Sequence, residues 1–360
     1  MSASVAGRRA PSRTRPRPPW RPWLAAAVLL ALVTAALWTW WAEQHPNEDR
    51  ELRELVQDRL DGWFPQLMAP AADGHGLRRR AAAGGPGNPQ PPRVVLIHGL
   101  DEPGIIWDDL APELAAEGIE VWELRYPNDQ GIPRSAAYLA GLWPELPAQP
   151  GVILIGHSMG GLVAREFVSA WRHPVHRPPR VGGAPVAGVI MVGTPNHGSP
   201  WARLRIWLEL REHFEDARQR RFSLFAGLRD GLGQAKVDLR PDSAFLRALN
   251  ARPWPPAVPR AIIGARLLHP ADDLVAGLDD AAVEVHSEEL RQRLHAWWST
   301  LGNRIGDGAV PAASLELAGV PKPVLVNATH RTMLRRLGAG DPRPPAIELI
   351  IAQVREWAAL

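Results

Sequence analysis

Gly151-Val152-Ile153-Leu154-Ile155-Gly156-His157-Ser158-Met159-Gly160-Gly161-Leu162-Val163-Ala164 is the stretch that decides how this 360-residue chain is read. It opens with a short apolar run rich in β-branched residues, bounded by Pro150 and Gly151, which predicts a strand buried on both faces. It closes with Leu162, Val163, Phe167 and Val168 at the spacing of a helix's inner side. Between them lies Gly-x-Ser-x-Gly. A serine on a sharp strand-to-helix turn holds its hydroxyl clear of the backbone, and flanking glycines let the two elements approach. The following helix aims free N–H groups and its positive dipole end at the turn. By composition alone the pentapeptide arises about once in ten chains of this length. Its place between a strand and a helix therefore carries the signal.

Outward from this stretch the chain alternates. Residues 94–97 read as a strand, followed by His98-Gly99-Leu100. Residues 105–117 read as a helix ended by Gly118, 120–124 as a strand, 135–146 as a helix and 186–192 as a strand. The pattern predicts a mainly parallel sheet with helices on both faces. Residues 199–255 break it with a helical pattern carrying Trp201, Leu204, Trp207, Leu208 and Phe214, read as a cap inserted into the sheet domain. Strands return at 260–264 and 323–326, and a helix over 347–357 closes the domain. No internal repeat is evident.

A hydroxyl nucleophile needs a base, and the base an orienting group. Such groups belong in loops after the carboxyl ends of strands, in the order serine, acid, histidine. His330 follows the strand at 323–326 and fits as the base. His98 precedes the serine and His157 adjoins it, so neither has the order. His269, His286 and His295 follow no clear strand. Asp307 is favoured as the acid because glycines on both sides allow a tight turn. Asp272 and Asp273 are its rivals. The backbone N–H groups of Met159 and Leu100 are the expected oxyanion donors.

Several motifs then converge on one family. Residues 95–100 (Val-Leu-Ile-His-Gly-Leu), the Gly-His-Ser-Met-Gly-Gly-Leu-Val-Ala-Arg of 156–165, the Gly-Thr-Pro-Asn-His-Gly-Ser of 193–199, residues 306–314 and Asn327-Ala328-Thr329-His330 carry the likeness. The chain resembles α/β-hydrolases of the bacterial triacylglycerol lipase and esterase group, with relatives similar to the inositol deacylases, over about residues 93–357. The resemblance implies an α/β-hydrolase fold, a Ser158–Asp307–His330 triad with Leu100 and Met159 at the oxyanion hole, an ester or lipid substrate, and no cofactor or metal. It leaves the acyl chain and headgroup open. An acyltransferase on the same triad and a non-catalytic binding module on this fold are the other readings. An N-terminal anchor and the long stretch 266–303 depart from the secreted lipases, and no calcium site can be matched.

The ends of the chain differ in charge. Residues 1–22 hold six arginines and no acid, so the formal charge of +3 leaves −3 for the remainder. The body is not a basic nucleic-acid binder. Residues 1–22, rich in Arg and Pro, are expected to be a disordered cytoplasmic tail. Residues 24–41 carry no charge, and as a helix reach about 27 Å, near the thickness of a bilayer core. Trp20 and Trp23 flank one end, and Trp38, Trp40 and Trp41 the other. This predicts a transmembrane signal anchor over 23–42, in preference to a cleaved signal, with the catalytic domain on the outer, periplasmic side of the cell's inner membrane. Leu52, Leu55, Val56, Leu60, Trp63 and Phe64 predict an amphipathic helix over 48–68 packed on the body, in preference to one lying on a membrane. Residues 70–92 read as a linker, so the catalytic domain is expected to run from 93 to 360. The chain has no cysteine, which excludes disulfides and a thiol nucleophile.

Overall fold

The computed structural model describes residues 26–64 apart from 27–28, 31–32, 35–36, 39 and 43, and then 74–82, 91–100, 104–200, 233–267, 306–338 and 340–358. The chain divides into two compact units, Met1–Asp49 and Arg50–Leu360. In the first, the described residues between 26 and 42 are helical. The Thr34 hydroxyl donates to the Leu30 carbonyl at 2.8 Å, and Leu29, Leu30, Val33, Leu37 and Trp40 are exposed. Much of the segment expected to span a membrane lies outside the described residues. Among the described residues no helix is long and apolar enough to cross one.

The second unit is built on seven strands: β1 (Gly76–Ala81), β2 (Arg93–Ile97), β3 (Glu120–Arg125), β4 (Val152–His157), β5 (Val186–Val192), β6 (Arg260–Arg266) and β7 (Val324–Asn327). Their order across the sheet is β1-β3-β2-β4-β5-β6-β7. All neighbours are parallel except β1, which runs antiparallel to β3. The central strands β2 and β4 are buried along their whole length because both faces are covered, and apart from Arg93, Gly156 and His157 their residues are aliphatic. In β2, Val94 and Leu96 face one side of the sheet and Val95 and Ile97 the other, as the period of two requires.

The helices are α1 (Pro46–Trp63), α2 (Leu110–Ala116), α3 (Ile132–Leu142), α4 (Met159–Glu166), α5 (Gln234–Asp238), α6 (Ala244–Ala251) and α7 (Ala346–Ala358). Leu110 and Leu114 of α2 pack with Ile347, Ile350 and Val354 of α7 on the face that holds Val94 and Leu96. Leu139 of α3 and Leu162 and Val163 of α4 cover the other. The helix expected over 105–117 is a short 3₁₀ turn, Ile105–Trp107, followed by α2. Helices α5 and α6 lie in the described part of residues 199–255. Trp201, Leu204, Trp207, Leu208 and Phe214 lie outside the described residues.

Two expectations are corrected. The stretch read as a linker contains β1, so the sheet begins at Gly76 rather than Arg93. Its sequence, Gly-Leu-Arg-Arg-Arg-Ala, lacks an apolar alternation because ion pairs to the neighbouring strand hold it. Arg79 reaches Glu120 at 3.2 Å and Arg80 reaches Glu123 at 2.7 Å. Helix α1 exists where expected but packs by its polar side. Arg50 donates to Asp238 at 2.7 Å, and Arg134 pairs with both Asp58 and Asp61. Leu52, Leu55, Val56 and Trp63 are left exposed.

The start of β5, an interior strand, gives the fold an acid-sensitive point. The Val186 N–H donates to Nε2 of His173 at 3.0 Å, so the ring must be neutral there. Burial, with Arg172 beside it, pushes His173 from the ordinary 6.5 down to about 4. The unfolded chain takes up this proton first as pH falls. Stability should therefore be complete above pH 6.5 and decline as pH falls from 6.5 towards about 4. His173→Gln, which keeps an acceptor but does not titrate, should flatten that part of the urea-unfolding midpoint against pH. An unchanged acid limb would show that the ring is not protonated on unfolding.

Candidate active site

Ser158 sits between the end of β4 and the start of α4 with φ 53° and ψ −127°. This left-handed setting is costly for a residue with a Cβ and persists only where the surroundings fix it. Its N–H donates to the carbonyl of Val192 at 2.8 Å, and its carbonyl accepts from Gly161 at 3.1 Å. The glycine two residues on is forced by proximity. A Cβ on Gly160 would lie 2.0 Å from the Ile97 carbonyl oxygen. The loop after β2 presses on the serine itself, since a Cβ on Gly99 would meet Ser158 Cβ at 2.8 Å and Oγ at 3.3 Å. Leu100, next in that loop, and Met159 are both buried.

His330 follows β7, and its Nδ1 lies 2.7 Å from Oδ2 of Asp307. Asp307 is buried in a turn between Gly306 at φ 59° and Gly308 at φ 91°, a path that both glycines make possible. Its other oxygen accepts from the N–H groups of Ala309 at 2.9 Å and Val310 at 2.7 Å. The His330 N–H also donates to the Asp307 carbonyl at 2.9 Å. Burial works against the charge on Asp307. His330 and the two N–H donors outweigh it and hold the carboxyl below its ordinary value.

The serine and the Asp–His pair both border the end of β5. Val192 accepts from Ser158, and the next residue, Gly193, abuts the imidazole: a Cβ there would lie 3.2 Å from both Cε1 and Nδ1 of His330. His157 closes the other side. Its Nε2 lies 3.0 Å from the His330 carbonyl, its ring is 4.6 Å from that of His330, and Trp107 meets it edge-on. Chain order sets His157 aside as a base, and it carries no signal for this role, because the loop after β7 comes beside it only in the folded sheet.

The motif at 193–199 proves to be a clamp on the turn that carries the acid. Asn196 donates to the Leu315 carbonyl at 2.8 Å, Ser199 to the Ala309 carbonyl, and Ser314 to the Gly198 carbonyl at 2.6 Å. Arg165 of α4 holds Asn196 from behind at 2.9 Å and Asn250 of α6 at 2.8 Å. Burial, with Arg260 and Arg252 nearby, lowers Arg165 to about 9 despite Glu166. Asp272 and Asp273, the rival acids, lie outside the described residues, as do His269, His286 and His295. Among the described residues no group of three or more His, Asp or Glu is placed to hold a metal ion.

Comparison with known proteins identifies the family. A family model described as "Alpha/beta hydrolase family" matches residues 94–347. Epoxide hydrolase B of Mycobacterium tuberculosis is 32% identical over 145 residues, which make up 36% of this chain and 38% of that protein. The chain thus matches less than half the length of that relative. Pimeloyl-[acyl-carrier protein] methyl ester esterase of Aromatoleum aromaticum is 28% identical over 236 residues, 62% of this chain and 83% of that protein. A solved structure, the mature lipase BlEst2 of Bacillus licheniformis, superposes with a TM-score of 0.49 at 17% identity over 77% of this chain and 97% of that one.

Removing the clamp should be measurable without any substrate. Asn196→Ala takes a partner from a nearly buried guanidinium and leaves the Leu315 carbonyl unmet. It should cost about 1–3 kcal/mol in chemical unfolding. A change within error would mean that water or a neighbour replaces the amide.

Proposed function

The chain belongs to the alpha/beta hydrolase family, and from that premise we propose that it is a serine hydrolase that cleaves carboxylic esters, tethered to the cell membrane by its N-terminal segment. The observation that carries the catalytic half is the Asp307–His330 contact. By engaging Nδ1, the carboxylate fixes the tautomer and leaves Nε2 as the ring atom able to take a proton. The strained turn at Ser158, tied to the residue beside Gly193, supports the serine as the proton's source.

In the proposed reaction His330 accepts the Ser158 hydroxyl proton as Oγ attacks the ester carbonyl. The carbonyl oxygen takes up negative charge, and the N–H groups of Met159 and Leu100 stabilise it. The tetrahedral intermediate collapses, the alcohol leaves with the proton from His330, and an acyl-serine remains. Water, deprotonated by His330, then releases the acid and restores Ser158. Asp307 stays ionised and balances the imidazolium at each proton transfer. Its depressed pKa suits that role. The match to a methyl ester esterase supports an ester as the substrate.

The tether rests on the sequence of residues 24–41 and on the exposed apolar side chains of that unit. Six arginines precede the segment, while Glu43, Glu48 and Asp49 follow it. The positive-inside rule then keeps the N-terminus in the cytoplasm and sets the hydrolase on the outer, periplasmic side.

Ser158→Ala should lower hydrolysis of nitrophenyl esters by several orders of magnitude while the thermal transition is kept, and should abolish labelling by a fluorophosphonate. Asp307→Asn should cost about 10⁴-fold through the wrong tautomer, whereas Asp272→Asn and Asp273→Asn should cost little. Labelling that persists at another serine would overturn the assignment. For the tether, protease added outside spheroplasts should digest the hydrolase and spare the tail. A mature N-terminus near Glu43 would show a cleaved leader instead.

A further inference from the structure

Helix α1 is amphipathic in reverse. Leu52, Leu55, Val56, Arg59 and Trp63 fall within about 100° of its circumference. All five are exposed, and the apolar ones keep 37%, 52%, 41% and 67% of their surface in contact with solvent. The opposite arc carries Arg50, Arg53, Glu54, Gln57 and Asp61, which turn towards the protein. A helix that packed for its own stability would bury the leucines and leave the charges wet. Here ion pairs hold the helix down while the apolar stripe stays outside. The arrangement makes sense only if a second apolar phase meets the stripe.

The geometry points to α1 as a membrane-surface helix whose outer stripe lies in the interface of a lipid bilayer, so that the hydrolase works against the membrane it is tethered to. Chain length supports the choice of occupant. Trp41 closes the uncharged segment and Pro46 opens α1, five residues later. Even fully extended, five residues reach about 17 Å, so a span over 24–41 keeps α1 at the headgroups. The residue types fit as well. Trp63 has the amphipathic ring favoured at an interface, and Arg59 has a long stem that lets its charge rise to the phosphates.

The same helix is fastened to the catalytic end of the sheet. Asp238, which binds Arg50, also accepts from the Ile132 N–H at 2.9 Å, where the loop leaving the carboxyl end of β3 becomes α3. Gln234 accepts from Gly131 at 3.2 Å in that loop. Ser158 and His330 project from the same end of the sheet. A bilayer under α1 therefore lies beside the rim of the site, and the substrate class is an ester whose acyl chain resides in lipid. This rests on the proposed tethered ester hydrolase for the substrate and for the chain-length argument, while the exposed stripe is independent of it.

The absence of cysteine allows a direct test on the full chain. Single Leu55→Cys, Val56→Cys, Glu51→Cys and Gly62→Cys variants would each carry a nitrobenzoxadiazole label, in vesicles of phosphatidylethanolamine and phosphatidylglycerol. Labels at Leu55 and Val56 should emit to the blue, be quenched by spin-labelled acyl chains and resist iodide. Labels at Glu51 and Gly62, on the flank, should do the reverse. Iodide quenching at all four positions would overturn the proposal. Protection from iodide without quenching by lipid would overturn it too, because protein would then cover the stripe. The double variant Leu55→Glu/Val56→Glu should keep its rate on a short soluble ester and lose about tenfold on a long-chain ester in vesicles, the value of partly burying one apolar side chain. Release of the chain by alkaline carbonate would overturn the span alone, while lipid quenching at Leu55 before the wash would still support the surface helix. Loss of phosphonate labelling at Ser158 would reject the hydrolase reading and leave the quenching result standing.

Discussion

A methyl group on Gly160 would lie 2.0 Å from the carbonyl oxygen of Ile97, well inside any tolerable contact. That closeness of β2 to the first turn of α4 is what the rest of the catalytic end depends on. It fixes Ser158 at φ 53°, a setting the residue would leave if the two elements could move apart. Once the serine is fixed, its N–H meets Val192, and the end of β5 is placed against His330. The histidine in turn sets where Asp307 must lie, and the clamp from Asn196, Ser199 and Ser314 holds the turn that delivers it. Each step is a backbone contact or a short hydrogen bond, so little of the geometry relies on a mobile side chain.

The parallel sheet was legible because its central strands carry continuous aliphatic runs and its helices keep their period. β4, β5 and α7 lie where their sequences place them, to within one or two residues. The serine turn and the Gly-Asp-Gly turn were legible for a different reason. Both demand glycine at fixed offsets, and glycine leaves a mark in sequence that packing does not. β1 was not legible, since arginines that pair with Glu120 and Glu123 on the next strand look like a solvated tract when read alone. His157 was not legible either. Its value lies in a contact with His330, 173 positions away.

The two carboxylates with the most at stake show how burial is handled in this fold. Asp307 and Asp238 are both fully enclosed. Asp307 gains His330 and two backbone N–H donors and is held below its ordinary value. Asp238 gains Arg50 and the Ile132 N–H, yet burial still raises it. The difference follows from the partners. Around Asp307 an imidazole from the loop after β7 acts together with two N–H groups of its own turn, whereas Asp238 has one guanidinium and one N–H, with the charge of Glu54 against it. Asp307, which the proposed reaction needs charged, thus has the fuller set of donors, and Asp238, which fastens α1, the smaller.

That distinction bears on how α1 should be read. Sequence periodicity reports that a helix has two unlike faces, but not which of them turns inward. The usual assumption, apolar side in, follows from water being the only solvent outside. For α1 the ion pairs reverse it, and the stripe from Leu52 to Trp63 faces away from the protein. An inward polar face costs desolvation of its charges, which few surface ion pairs recover. Covering the outward face as well would add the apolar burial that the inward face lacks. The proposed bilayer would do this without asking anything of the fold, under a helix whose ion pairs reach Asp238 of α5 and Arg134 in the first turn of α3.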